Sequence, residues 1–436
     1  MKEYKVTIIG GGLAGCEAAW QLANRGVKVD LYEMRPNVMT PAHNTASLAE
    51  LVCSNSFRSN RIENAVGLLK EEMRRLNSLI IKAADEHTIP AGGALAVDRQ
   101  SFSDYVTAMV DNHRNITINR SEATEIPESG HVIIATGPLS SQGILQAISG
   151  IIKGEYLYFY DAAAPIVAVD SIDTSKTFKA SRYGRGDDYL NCPMDKESYS
   201  KFWEELVNAE RASIRDFEKG IFEGCMPIEV MASRGIDTLR FGPLKPVGLI
   251  DPHSGKEPYA VVQLRQDNHS ASLYNMVGFQ TNLKFGEQRR VFSLIPGLEN
   301  AEFVRYGVMH RNTYINSPSL LNSFYQMRDN ERIYFAGQIT GVEGYVESAA
   351  SGLVAGYHLA STILEKPVTD FPSITAIGSL SKYISNPSVA NFQPMNVNFG
   401  IIQPLGQKIR NKQEKNRLLA KRALEAIDHI ANFQGI

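Results

Sequence analysis

The stretch "YKVTIIGGGLAGCEAAWQLANRGVKVDLYE" near the N-terminus constrains the fold more than any other part of the chain. An apolar run leads into Gly10-x-Gly12-x-x-Gly15, a helical pattern follows, and a second apolar run ends on Glu33, a little over 20 residues on. Each residue has a mechanical reason. Gly10 permits the tight turn, Gly12 lets backbone approach a pyrophosphate, Gly15 allows helix and strand to pack closely, and Glu33 can accept from a ribose hydroxyl. The segment Gly10, Gly11, Gly12, Leu13, Ala14 and Gly15 is therefore expected to cradle the phosphates of a dinucleotide at a helix N-terminus, where unpaired N–H groups and the helix dipole favour an anion. A chain that begins this way is expected to be α/β, built on a parallel sheet.

Two further segments decide between dinucleotides. "HVIIATGP" (131–138) repeats the strand-turn pattern and ends near Gly137, and "RIYFAGQITGVEGYVESAASGLVAG" (332–356) does so again with Gly337, Gln338 and Gly341. A helix rich in small residues is expected to start near Glu343. A returning segment of this kind suits a flavin, whose ribityl chain and ring must be wrapped from a distance, so the pattern favours FAD over NAD. Gln338 stands where many flavoproteins carry aspartate.

At 436 residues the chain exceeds one core, so two domains or one domain with a large insertion is expected. Between about 165 and 325 the texture changes to short alternating runs such as "YAVVQLRQ" and "YNMVGFQT", broken by proline and glycine. The expected division is 1–165 and 326–436 for the two parts of the dinucleotide-binding domain, with a mostly β inserted domain at 166–325.

No apolar run approaches the roughly 20 residues a membrane span needs, and the N-terminus lacks a secretion-signal pattern, so a cytoplasmic protein with no membrane contact is expected. Four cysteines (Cys16, Cys53, Cys192, Cys225), none in a C-x-x-C pair, argue against structural zinc and a disulfide framework; no metal site is expected. The net charge of −2 gives no general attraction to nucleic acid. One local patch does: seven basic residues and a single glutamate, Glu414, lie between Lys408 and Arg422, on what otherwise reads as the solvated face of a polar helix spanning 405–436.

The cysteines differ in setting. Cys53 lies in "AELVCSNSFRSN", among small polar residues, with Arg58 and Arg61 downstream, which either depress the thiol's pKa or simply face water near a helix start. Apolar residues then recur at Ile62, Val66, Leu69, Met73, Leu76, Ile80 and Ala83, which predicts one amphipathic helix starting near Arg61 behind an Asn60–Glu63 capping box. Cys53 falls in the loop before it, where a side chain can face a ligand. Cys225, in "EGCMPIEV", is expected in an extended turn before Pro227. Cys16 and Cys192 read as small buried hydrophobes.

These blocks, with "YEMRP", "PAHNT", "AGGALAVDR", "YFYDAAAPIV", "NCPM", "FGPLKPVGL", "HRNTYINSP" and "NFQPMNVNFG", give a chain that resembles the folate- and FAD-dependent tRNA uracil-5-methyltransferases along essentially its whole length. The resemblance implies a glutathione-reductase-like, Rossmann-type FAD domain. It also implies formation of 5-methyluridine in the tRNA T-loop, with carbon from 5,10-methylenetetrahydrofolate and electrons from NADH or NADPH. Cys53 and Cys225 match the family's two catalytic thiols. Uracil C5 is a poor nucleophile, and a thiolate adding at C6 makes it an enolate, after which a second group must remove the C5 proton. Cys225 is assigned the attack and Cys53 the proton or the protection of the carbon in transit, with the reverse assignment equally compatible. His310 and Arg311 are candidates for stacking a pterin and pairing with the folate carboxylate, or for lining a domain seam. Arg234, Arg240, Lys245 and the 408–422 patch are candidate RNA contacts.

Three other readings stay open: a paralogue acting on a ribosomal RNA uridine, a small-molecule FAD oxidoreductase, and a flavin-bound RNA-binding or folate-sensing protein without turnover. A related FAD family that modifies wobble uridines has similar glycine segments but longer chains.

Overall fold

The computed structural model describes residues 5–152, 156–212, 226–368, 370–389 and 392–434. Its first sheet is parallel throughout, with strands in the spatial order Ile333–Phe335, His131–Ile134, Lys5–Ile9, Lys28–Tyr32 and Ile116–Asn119. Val6, Ile8, Val132, Ile133 and Ile333 are fully buried, as expected of strands covered on both faces. The fingerprint helix, Leu13–Asn24, follows the first strand directly.

Glycine sets how closely the layers approach. A Cβ on Gly15 would lie 1.8 Å from the Gly10 carbonyl oxygen, so the helix sits against the turn only because that side chain is absent. The closing helix, Tyr345–Ile363, lies on the fingerprint helix in the same way: a Cβ on Gly352 would lie 2.1 Å from the Ala14 carbonyl oxygen. The chain's last strand-helix unit is thus locked to its first.

The middle of the chain builds a second, antiparallel sheet in the order Phe178–Lys179, Tyr189–Met194, Ala260–Gln266, Leu273–Met276, Ile166–Ala168, Phe303–Arg305. Helices Lys196–Asn208 and Phe285–Phe292 contribute to its core, where Cys192 packs with Val262, Leu264, Phe279 and Phe292. Leu157–Ala162 and Met309–Tyr314 pair antiparallel as the chain leaves and re-enters the first unit.

The single helix expected from Arg61 onward is two. Ala65–Arg75 and Leu79–Glu86 are separated at Asn77, whose φ of +54° is left-handed, and Ser78 caps the second by accepting from Ile81 N–H. The apolar spacing carries across the break because both helices bury the same face. Residues 61–63 form a turn, and Asn64, not Asn60, precedes the first helix. The strand Ser56–Ser59 lies between Cys53 and that helix. Lys70, on the buried face, donates 2.7 Å bonds to the carbonyls of Phe57 and Ser59 and so ties the strand down; burial and the Arg58 charge lower its pKa to about 7. The tail helix, Lys412–Gln434, packs Leu419, Ala423 and Ile427 inward beside the Ala65–Arg75 helix.

Candidate functional site

An elongated cavity lies along the fingerprint turn, with Gly10, Gly11, Gly12, Leu13, Ala14, Glu33, Gly137, Gly337 and Gln338 in its walls. Two of the expected residues lie elsewhere. Gly15 faces the Gly10 carbonyl, and Gly341, at φ +82°, faces the ring of Phe392, which a Cβ would meet at 2.5 Å; both shape backbone and neither lines the cavity.

The cavity fits a dinucleotide on its own geometry. A Cβ on Gly12 or on Gly137 would project into open space with nothing within 4 Å, so these backbones border a cradle that a side chain would fill. Glu33 accepts from Gly11 N–H at 3.0 Å and from Arg35 N–H and Nε at 3.0 and 2.9 Å. Burial raises its pKa, but the Arg35 and Gly11 hydrogen bonds outweigh this and the net shift is downward. The carboxylate therefore holds the turn, and a ribose hydroxyl would share its oxygens with Arg35. Gln338 donates to Glu343 at 2.6 Å.

Val52 and Tyr345 also line the cavity. Tyr345 opens the closing helix, and its hydroxyl oxygen accepts from Cys53 N–H at 2.9 Å and Ser54 N–H at 3.2 Å, with Cys53 Sγ 3.0 Å away. Two N–H donors occupy the phenol's acceptor sites, which leaves its own proton to be donated to the sulfur. Burial and the Cys53 charge hold the Tyr345 pKa well above its ordinary value. Cys53 is half-buried, next in sequence to Val52 and in contact with Tyr345, both of which line the cavity.

The two arginines close to Cys53 in sequence have carboxylate partners. Arg58 pairs with buried Glu347, and Arg61 reaches Glu63 at 3.6 Å. Arg99, Arg265 and Arg305 hold the loop instead. Arg99 donates to the Leu51 carbonyl at 2.6 Å and pairs with Asp267 at 2.9 Å; Arg305 donates to the Val52 carbonyl; Arg265 donates to Asn55 and Ser54 at 3.1 and 2.9 Å. Burial pulls Arg99 down, but the Asp267 and Tyr345 charges outweigh it and the net shift is upward. Arg99 Nη2 is buried without a partner among the described residues, which leaves one donor beside the loop unused. No spacing rule relates residues 99, 265 and 305 to residue 53, and sequence gave no signal for them.

Cys225 lies outside the described residues, and the side chains of His310 and Arg311, on the strand Met309–Tyr314, are likewise not described. Cys16 donates to the Gly11 carbonyl at 3.3 Å; burial raises the pKa of Cys16 and of Cys192, and both are interior thiols. Arg240 stacks on Tyr259 at 3.6 Å and pairs with Asp237. Among the described residues no helix is long and apolar enough to cross a membrane.

Residues 5–367 match the family model described as glucose inhibited division protein A. The chain belongs to the GidA family. Within reach of this GidA-family chain is the methylenetetrahydrofolate–tRNA-(uracil-5-)-methyltransferase TrmFO of Desulforamulus reducens, 62% identical over 429 residues, covering 98% of this chain and 97% of that one. The protein of the same name from Listeria monocytogenes is 62% identical over 431 residues, with 98% and 99% covered. The solved GidA structure from Aquifex aeolicus superposes with a TM-score of 0.69 at 17% identity, over 98% of this chain and 74% of that one, and so shares the fold.

Proposed function

We propose that this GidA-family chain is an FAD-dependent methyltransferase that forms 5-methyluridine in the tRNA T-loop, with methylenetetrahydrofolate as carbon donor and NAD(P)H as reductant. The observation that supports the reading is the Cys53 loop, which sets a thiol against the hydroxyl of Tyr345, a residue lining the dinucleotide cavity, in a chain 62% identical to proteins bearing that activity's name.

The residues divide the work. The turn Gly10–Ala14 with Gly137 would hold the pyrophosphate of FAD, and Gly337, Gln338 and Tyr345, which line the same cavity, would also border the cofactor. When bound, the flavin supplies the hydride, drawn from NAD(P)H, that converts a methylene on C5 to methyl. A thiolate, assigned to Cys225, forms a bond to C6, and the C5–C6 π pair moves toward O4 as an enolate. C5 then attacks the donor's methylene, loss of the C5 proton expels the folate nitrogen and leaves an exocyclic methylene, and hydride addition to that carbon restores the C5–C6 double bond as the C6–sulfur bond breaks. Cys53 is assigned that proton, with Tyr345 as its hydrogen-bond partner. His310 and Arg311 are assigned to folate. The base must leave its stack to reach these groups.

Purified protein incubated with methylenetetrahydrofolate, NAD(P)H and unmodified tRNA should place 5-methyluridine in the T-loop. Product in a ribosomal RNA fragment alone would move the substrate to rRNA. Replacing Cys53 with alanine should lower the rate at least about a hundredfold, the lower range for losing a proton-transfer group; an unchanged rate would remove Cys53 from the chemistry.

A further inference from the structure

The basic stretch at the tail is part of a groove. Its walls are the start of the tail helix and the 397–400 turn on one side and the start of the Ala65–Arg75 helix on the other. Arg58, Arg410, Lys412 and Lys415 line it, against one carboxylate, Glu63. Among the described residues Arg410, Lys412 and Lys415 form no ion pair. Farther along the same segment Arg417 pairs with Glu414 and Lys421 lies 3.9 Å from Glu425. In this stretch Arg417 and Lys421 have carboxylate partners and Arg422 donates to backbone carbonyls, whereas Arg410, Lys412 and Lys415, which line the groove, are uncompensated. Asn64, at the start of the shorter helix, makes no side-chain cap bond, so first-turn N–H groups also present positive charge to the groove.

The groove adjoins the Cys53 site. Arg58 in its wall pairs with Glu347, in the first turn of the closing helix and two residues beyond Tyr345. Val397 N–H donates to the same Glu347 at 3.0 Å. The start of the closing helix therefore has the groove on one side and Cys53 on the other. A surface of unpaired cations leading to a site that takes a nucleobase complements a chain of phosphates.

We infer that this groove binds the sugar–phosphate backbone of the RNA substrate, with Arg410, Lys412 and Lys415 as phosphate contacts; the inference rests on the methyltransferase reading for its ligand. Contacts of this kind position the strand and carry no base preference.

The test is the salt dependence of tRNA binding, measured by anisotropy with a labelled unmodified transcript between about 50 and 200 mM salt, where phosphate contacts show most strongly. The triple variant R410A/K412A/K415A should bind about tenfold or more weakly at the low-salt end and lose about 2 from the slope of log K against log salt. A control, K196A/K201A on the Lys196–Asn208 helix, should keep the wild-type slope. Thermal midpoints report that both variants are folded. An unchanged slope in the triple variant, or an equal loss in the control, would overturn the groove assignment. Wild-type protein that binds no tRNA at any salt would instead overturn the functional reading on which it rests.

Discussion

The hydroxyl of Tyr345 holds two backbone N–H groups of the Cys53 loop and touches its sulfur, so one oxygen sets both where the loop lies and how the thiol is solvated. Phenylalanine at this position keeps the ring against Phe57 and strands two partly buried donors, at about 1–3 kcal/mol each. Tyr345→Phe is therefore expected to slow 5-methyluridine formation about tenfold or more, measured in single turnover, with flavin absorbance retained; an unaltered rate would show that the loop finds its position without the phenol. The residue scale is also where sequence reading reached its limit. That Cys53 lies in a loop was legible because its neighbours are small and polar. Adjacency in sequence pointed to Arg58 and Arg61 as its charged neighbours, but it could not show that Arg58 turns to Glu347, a partner 289 positions away, or that Arg99 and Arg305 hold the same loop.

Among elements, the closing helix sets the most. It lies against the fingerprint helix through Gly352 and Gly356, whose added Cβ atoms would meet carbonyl oxygens of Ala14 and Ala18 at 2.1 and 2.7 Å. Backbone cannot rotate away as a side chain does, so Gly352→Ala should cost about 1–3 kcal/mol and push the helix off the cofactor turn, seen as a lower urea midpoint together with flavin loss on dialysis. His358, in the same helix, contacts the Tyr334 hydroxyl at 2.9 Å and stacks on Phe324; burial lowers its pKa to about 4 from 6.5. The folded state keeps the ring neutral, so its contribution is complete above pH 6.5 and is lost as pH falls through about 4. Between those values His358→Gln should lose about 3 kcal/mol less than the wild type in urea unfolding, and parallel curves would contradict this. The strand-turn-helix units at 5–32 and 332–356 and the strand-turn at 131–138 were readable because periodicity and glycine are local. The division of the 61–86 helix was not, because Asn77 and Ser78 interrupt hydrogen bonding without disturbing the apolar spacing.

For the whole molecule, the site lies where the two sheets meet. Arg265 and Arg305 come from the antiparallel sheet and Arg99 from the helix Arg99–Asp111 of the first unit, and all three grip residues 51–55. Asp267, just past the Ala260–Gln266 strand, is the partner that keeps Arg99 compensated. Asp267→Asn leaves that largely buried cation short of a counter-charge, so hydrogen exchange across 51–55 should quicken by about tenfold or more, while exchange in the parallel sheet stays unchanged. The α/β class could be read from texture, since strand-turn-helix units have their own pattern; the seam between the two sheets could not, because its contacts join positions far apart in the chain and leave no periodic trace.

The loop that carries Cys53 is made early in synthesis, but its anchors are residues 99, 265, 305 and 345. A polypeptide still emerging from the ribosome holds that sulfur on an untethered segment until four-fifths of the message has been read, so the reactive arrangement arises only in a nearly finished molecule, and a truncated product would carry the thiol without the setting that gives it a task.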